Sequence, residues 1–200
     1  MIEKTVVDNR GKILIPDPPL AQALFQTTRF AWLWLAIRLY LGYSWLTSGW
    51  GKITNPAWRT GGPLRGFWEN AVSIPETGRP PIAFDWYRNF IQFMLDNQWY
   101  EWFADLVMYG EILVGIALIL GMFTGIAAFA GSFMNWNFIM AGAASTNGLM
   151  LTLAIFLILA WKVAGWIGLD RWLLPYLGTP WSRKSESGSI QQDLAESIGD

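Results

Sequence analysis

Arg38 and Glu111 are the residues of this chain whose setting points most directly to chemistry. Each is a lone charge near the middle of an apolar stretch of about 20 residues, and stretches of that length read as membrane-spanning helices. A charge at that depth costs on the order of 3 kcal/mol and is a functional candidate by default. One cation and one anion on separate spans suggest a buried pair that fixes helix register, or a polar pocket in which Glu111 exchanges protons. Counted from the span ends at about 1.5 Å per residue, Arg38 lies about 12 Å from one face, and Glu111 and Asn135 about 16 Å from the same face. Asn137 and Tyr40 fall within a turn of that layer, and Tyr109 is a further hydroxyl on the second span. A second candidate is Lys52, Arg59 and Arg65 around Gly61-Gly62, where cations and glycine-exposed N–H groups could hold an anion. Glu69 and Glu76 oppose that reading, and an ordinary solvated loop is the alternative.

The elements that must position these residues are helices. The chain of 200 residues is 53% hydrophobic and only 14% charged, against about 25% charged in soluble domains. Its 14 tryptophans suit membrane interfaces, where an apolar ring and a wet N–H coexist. There is no Cys and no His, so Cys-ligated clusters, His-ligated haem, disulfides and thiol chemistry are excluded from this chain, and no bound metal is expected. A net charge of −1 gives no reason to expect nucleic-acid binding.

The expected fold is an all-α integral membrane protein: a four-transmembrane-helix bundle with a long first extramembrane loop containing an interfacial amphipathic helix. Residues 1–29 read as a polar arm that Pro16, Pro18 and Pro19 keep irregular, apart from a short interfacial helix over 20–28. The membrane domain covers 30–181, with spans at 30–49, 104–122, 124–144 and 149–167 and the loop at 51–102. Within the loop, Trp86, Tyr87, Phe90, Phe93, Met94 and Asn97 form one face of a helix lying in the interface. Residues 182–200, rich in Ser and charge, read as a disordered tail. Eight Lys and Arg on the terminal side against five on the other place both termini in the cytoplasm.

Several stretches resemble the DoxX family of small bacterial membrane proteins, most closely its DoxD-type branch. They are Arg38-Leu39-Tyr40-Leu41-Gly42 with Ser48-Gly49-Trp50-Gly51-Lys52-Ile53, the run from Gly110-Glu111-Ile112 to Gly121, and Gly168-Leu169-Asp170-Arg171. The resemblance implies a membrane subunit of thiosulfate:quinone oxidoreductase in a bacterial or archaeal cell membrane. Quinone would be the substrate that accepts electrons, a small second subunit and oligomerisation would be expected, and Arg38 and Glu111 would position the quinone and handle its protons. Asn135, Asn137, Tyr40 and Tyr109 would line its pocket, and Lys52, Arg59 and Arg65 would attract thiosulfate. The other expectation is a non-enzymatic scaffold or accessory subunit of a larger membrane complex.

Overall fold

The structure, a computed structural model, describes residues 6–7, 13–14 and 17–177. Among these, regular structure is helical except for one short antiparallel ladder that pairs Val6 with Leu14 and Val7 with Ile13. This ladder lies in the arm whose prolines predicted no regular element. Beyond it α1 spans Pro19–Phe25. Proline opens this helix without penalty, because the first turn has no use for its missing N–H. The expected tail over 182–200 lies outside the described residues.

Four apolar helices build the main body: α2 (Ala31–Ile53), α5 (Tyr100–Leu120), α6 (Thr124–Met140) and α7 (Asn147–Leu159). Of these, α5, with 21 residues, is by length and composition able to cross a bilayer on its own. It begins at Tyr100, earlier than the expected start at 104, because the chain reverses at Gln98 (φ 58°) and enters the helix directly. A break at Ala160 separates α7 from α8 (Trp161–Ala164), and α9 (Asp170–Tyr176) follows.

Small residues set the closest approach. A side chain on Gly115 of α5 would run into the backbone of Leu46 at 2.7 Å, and one on Gly49 of α2 would meet Ile112 at 2.6 Å. Glycine at these positions lets α2 and α5 approach backbone to backbone. Trp34, Leu41, Trp45, Val114, Leu118, Ala128, Met150, Ala154 and Leu157 fill the interior. The outer faces are equally apolar: Leu106, Leu113, Ile126, Phe129, Phe133, Leu149 and Phe156 are exposed.

Residues 56–96 form a cap with a core of its own. A 3-10 turn (Pro56–Thr60) leads into α3 (Gly62–Val72), and α4 is Asp85–Asp96. Gly61 adopts φ 69°, a left-handed conformation that closes the turn and opens α3. Leu64, Trp68 and Ala71, spaced for one helix face, pack with Ile82, Tyr87, Ile91 and Met94 and with Ala104 and Ala141 of the main body. The expected single face of α4 is therefore split. Tyr87 and Met94 turn inward, while Trp86, Phe90 and Phe93 stay exposed.

Candidate functional site

Glu111 and Arg38 are both buried, at 1% exposure each, but they belong to different constellations. The antiparallel contacts of α2 and α5 run from Gly42 against Ile119 to Gly49 against Ile112. On this register Arg38 faces Gly121, ten residues further along the chain than Glu111, an offset of about 15 Å at about 1.5 Å per residue. The two helices are staggered, and α2 overhangs the end of α5. The layer that places Arg38 beside Glu111 assumes that all spans start level, and that is where it fails.

The partner of Glu111 is Lys52, with Nζ 2.6 Å from Oε2. Lys52 Nζ also donates to Ser48 Oγ at 2.8 Å and lies 5.1 Å from the centre of the Trp58 ring. Ser48 and Lys52 are one turn apart on α2, so both reach the same carboxylate. α2 continues to Ile53, beyond the expected exit at Gly49, and this extra turn carries Lys52 to its partner. In the sequence a lysine at a span end looks like a juxtamembrane charge; its contact with Glu111 has no signal there.

The pair forms the floor of a cavity of about 540 Å³ between the main body and the cap. Tyr40, Tyr43, Ser44, Trp45 and Thr47 of α2 form one wall. Trp58, Pro63, Leu64 and Phe67 of the cap form the roof, and Phe138, the 143–147 segment and Met150 close the far side. Exposed Tyr40, Tyr43 and Thr47 lie at the rim, with Ser145 and Thr146 opposite. The result is an aromatic-walled pocket with a few convergent polar groups at its base, the usual composition of a small-molecule site.

Other candidates take different positions. Asn135 is fully buried on α6 and level with Glu111, since Gly110 faces Met134 and Gly131 faces Val114. Neither its Oδ1 nor its Nδ2 has a partner among the described residues, at a cost of about 1–3 kcal/mol for each unsatisfied group. Asn137 is engaged elsewhere: its carbonyl and Oδ1 accept from the Tyr87 hydroxyl at 3.1 Å each, and its Nδ2 donates to Phe133 O. Tyr109 is exposed on the outer face of α5, away from the cavity lining. The three cations expected to share an anion do not converge. Lys52 is held by Glu111, Arg65 pairs with Glu69 at 2.7 Å in a separate cleft, and exposed Arg59 lies in the cap turn. Among the described residues no cluster of three or more Asp or Glu is placed to hold a metal ion.

Arg38 closes a structural joint. It donates to Ala164 O at 3.3 Å, at the end of α8, and to Ile167 O at 2.5 Å, in the segment that follows. Asp170, also fully buried, accepts from Phe123 N at 2.6 Å and Thr124 N at 2.9 Å, the first amides of α6. Asp170 was visible in the sequence only as part of the Gly168-Leu169-Asp170-Arg171 pattern, with no indication of the helix end it caps.

Tyr87 docks the cap onto α6, and burial pushes its hydroxyl up from the usual 10.0 to about 12. The folded state holds this proton more tightly than the unfolded chain, so stability is lost as pH rises from about 10 through about 12. Tyr87→Phe is expected to remove that alkaline step and to cost about 1 kcal/mol at neutral pH, measured by thermal unfolding across pH.

The DoxX family model matches residues 33–146, over half of the chain. No curated protein and no solved structure matches the chain.

Proposed function

Since the chain belongs to the DoxX family of membrane-associated proteins, we propose that its cavity receives a quinone head group and that the protein is the membrane subunit of a quinone-linked oxidoreductase. One observation carries this reading: the Lys52–Glu111 pair, with its carboxylate fully buried, lines an aromatic-walled cavity. A bare ion pair is not needed to hold α2 on α5, because glycine packing already does so. A buried pair facing a cavity has both an acceptor and a donor ready for a reacting group.

The reaction proposed is the DoxD-type one. Two thiosulfate ions join as tetrathionate and release two electrons, and one quinone takes those electrons with two protons to become quinol. Glu111 and Lys52 are the groups that pass protons to the quinone oxygen. Since Lys52, Arg59 and Arg65 form no common anion site, the thiosulfate site is assigned to a second, small subunit. Arg38 takes no part in the chemistry.

The same reading places α2, α5, α6 and the α7–α8 pair across the bilayer, with both termini cytoplasmic and the cap outside. Apolar side chains facing outward on all four support it. The chain has no cysteine, so topology is directly testable. A cysteine at Arg59 is expected to react with an impermeant maleimide on intact cells, and one at Asp17 only after lysis.

The functional test is quinol formation by purified protein, with and without thiosulfate, alone and with its co-purifying membrane partners. Thiosulfate-dependent quinol formation supports the enzyme. Its absence in both preparations favours a non-enzymatic accessory subunit, for which the exposed rings of Trp86, Phe90, Phe93 and Trp102 offer a contact surface.

A further inference from the structure

Five hydroxyl side chains stand on one face of α2: Tyr40, Tyr43, Ser44, Thr47 and Ser48. Their spacing of three and four residues puts one or two on each turn of that face, and all five line the cavity. At the same depth the outer faces of α5 and α6 expose Leu113, Ile116, Phe129 and Phe133, which suit hydrocarbon. A row of hydroxyls does not, and it ends on charge. Ser44 Oγ donates to Tyr40 O at 2.9 Å and Thr47 Oγ1 to Tyr43 O at 2.8 Å, so each oxygen keeps lone pairs that can accept from water. Ser48 Oγ accepts from Lys52 Nζ at 2.8 Å, which joins the row to the Lys52–Glu111 pair. The row also has a direction. Gly42 packs against Ile119 and Arg38 faces Gly121, so Tyr40 stands level with the end of α5 on the side of the chain termini. Ser48 is eight residues further on, about 12 Å deeper. The cap covers the Lys52 end with Trp58, Pro63, Leu64 and Phe67. Ser145 and Thr146 also reach the cavity, but from one short segment and not as a row.

We infer that this wall of α2 is a water-accessible proton path from the terminal side of the membrane to Glu111. Its purpose rests on the head-group reading above, and it adds the side from which the protons come. A quinone that takes two electrons from thiosulfate also takes two protons. Each proton that the Lys52–Glu111 pair passes to a quinone oxygen is replaced by one from water beside Ser48. This happens twice per quinol, and the pair returns to its starting form each time. Tyr40 marks the mouth of the path, and Ser44 and Thr47 hold water between the mouth and the pair.

The chain has no cysteine, so single cysteines report water contact directly. The thiolate is the reacting form, and a thiol facing hydrocarbon stays protonated. The full chain is treated in intact cells and in inside-out vesicles with the impermeant trimethylammonium-ethyl methanethiosulfonate. Ser44→Cys and Thr47→Cys, both small changes, are expected to react at least about tenfold faster than Leu113→Cys. They should do so from the side on which Asp17→Cys reacts. Rates as low as that of Leu113→Cys overturn the path, and faster reaction from the side of Arg59→Cys overturns its direction. Disulfide-linked dimers of either variant on mild oxidation place a second copy against this face and overturn it too. None of these readings needs quinone. The functional arm uses a decyl-substituted dimethoxy-methyl-benzoquinone as the quinone probe. Ser44→Ile, which fills the row with an apolar side chain, is expected to lower kcat for quinol formation about tenfold and to leave the quinone KM unchanged. An unchanged kcat in Ser44→Ile overturns the role in the reaction. No quinol formation by the parent overturns the quinone reading, and the labelling result still decides the path.

Discussion

Lys52→Met is expected to destabilise the protein more than Glu111→Gln does, and each is expected to abolish quinol formation. The asymmetry follows from burial. Glu111 is 1% exposed and the Lys52 side chain 17%. Removing the lysine strands a carboxylate with only Ser48 at hand, and breaking a buried pair from one side costs about 3–5 kcal/mol. Removing the charge of Glu111 leaves an ammonium that still has Ser48 Oγ and the Trp58 ring and can turn toward the cavity. An amide in place of the carboxylate keeps its shape, so the loss should stay nearer 1–3 kcal/mol. The double change Lys52→Met with Glu111→Leu should recover most of the stability and none of the activity, because an apolar pair packs well but moves no proton. Arg38→Met combined with Glu111→Gln should be additive, as the two sites are far apart on the α2–α5 register. Thermal unfolding in detergent and a quinol assay on each variant check all of this. Quinol formation by a well-folded Glu111→Gln protein would remove Glu111 from the proton path, and a double variant no better than Lys52→Met would show that the pair is not coupled.

Glu111 could be picked out from the sequence because a lone charge in an apolar run is an energetic exception wherever the run is placed. Its partner could not, because pairing depends on how far α2 slides past α5, and no single-helix pattern encodes that stagger. Glycine is ambiguous in a sequence for a related reason: it suits both turns and close helix contacts. The stretch Gly51-Lys52-Ile53-Thr54-Asn55-Pro56 reads as a turn-rich exit, yet α2 runs on to Ile53, and Gly49 before it serves close contact with Ile112. In the cap, the prolines and glycines around α3 mask a helix whose Leu64, Trp68 and Ala71 have the spacing of a buried face. In α4 the aromatic residues carry no mark of which side meets α3, so lipid-type and core-type rings were merged into one face. Asn135 is level with Glu111, as counting from Met122 and Thr124 predicts, because the tight link at 121–123 leaves α5 and α6 little freedom of register.

Asp170→Leu is expected to be among the most damaging single changes in the chain, although Asp170 is absent from the cavity lining. Three segments meet at this carboxylate. Its oxygens hold the N–H groups of Phe123 and Thr124, so it caps α6 from a distant part of the chain and opposes the positive end of that helix. Its own backbone N–H donates to Gly121 O at 2.7 Å, and Leu169 N donates to Leu120 O, which ties the end of α5 to the same point. Arg38 completes the joint from α2 by holding the carbonyls of Ala164 and Ile167. The segment is so tight that a side chain on Gly165 would collide with Asp170, and one on Gly121 with the Arg38 guanidinium. Asp170→Leu orphans two buried amides and leaves Arg38 without its nearby anion, for a combined loss of about 3–5 kcal/mol. Arg38→Leu should fall in the same range. Asp170→Asn, which keeps one acceptor oxygen, should lose less and remain folded. Because the joint lies far from Glu111, the folded Asp170→Asn protein should bind the quinone probe with the affinity of the parent. A large fall in quinone affinity with unchanged Tm would instead place Arg38 and Asp170 in the chemistry, and the division between a structural joint and a functional pair would have to be redrawn.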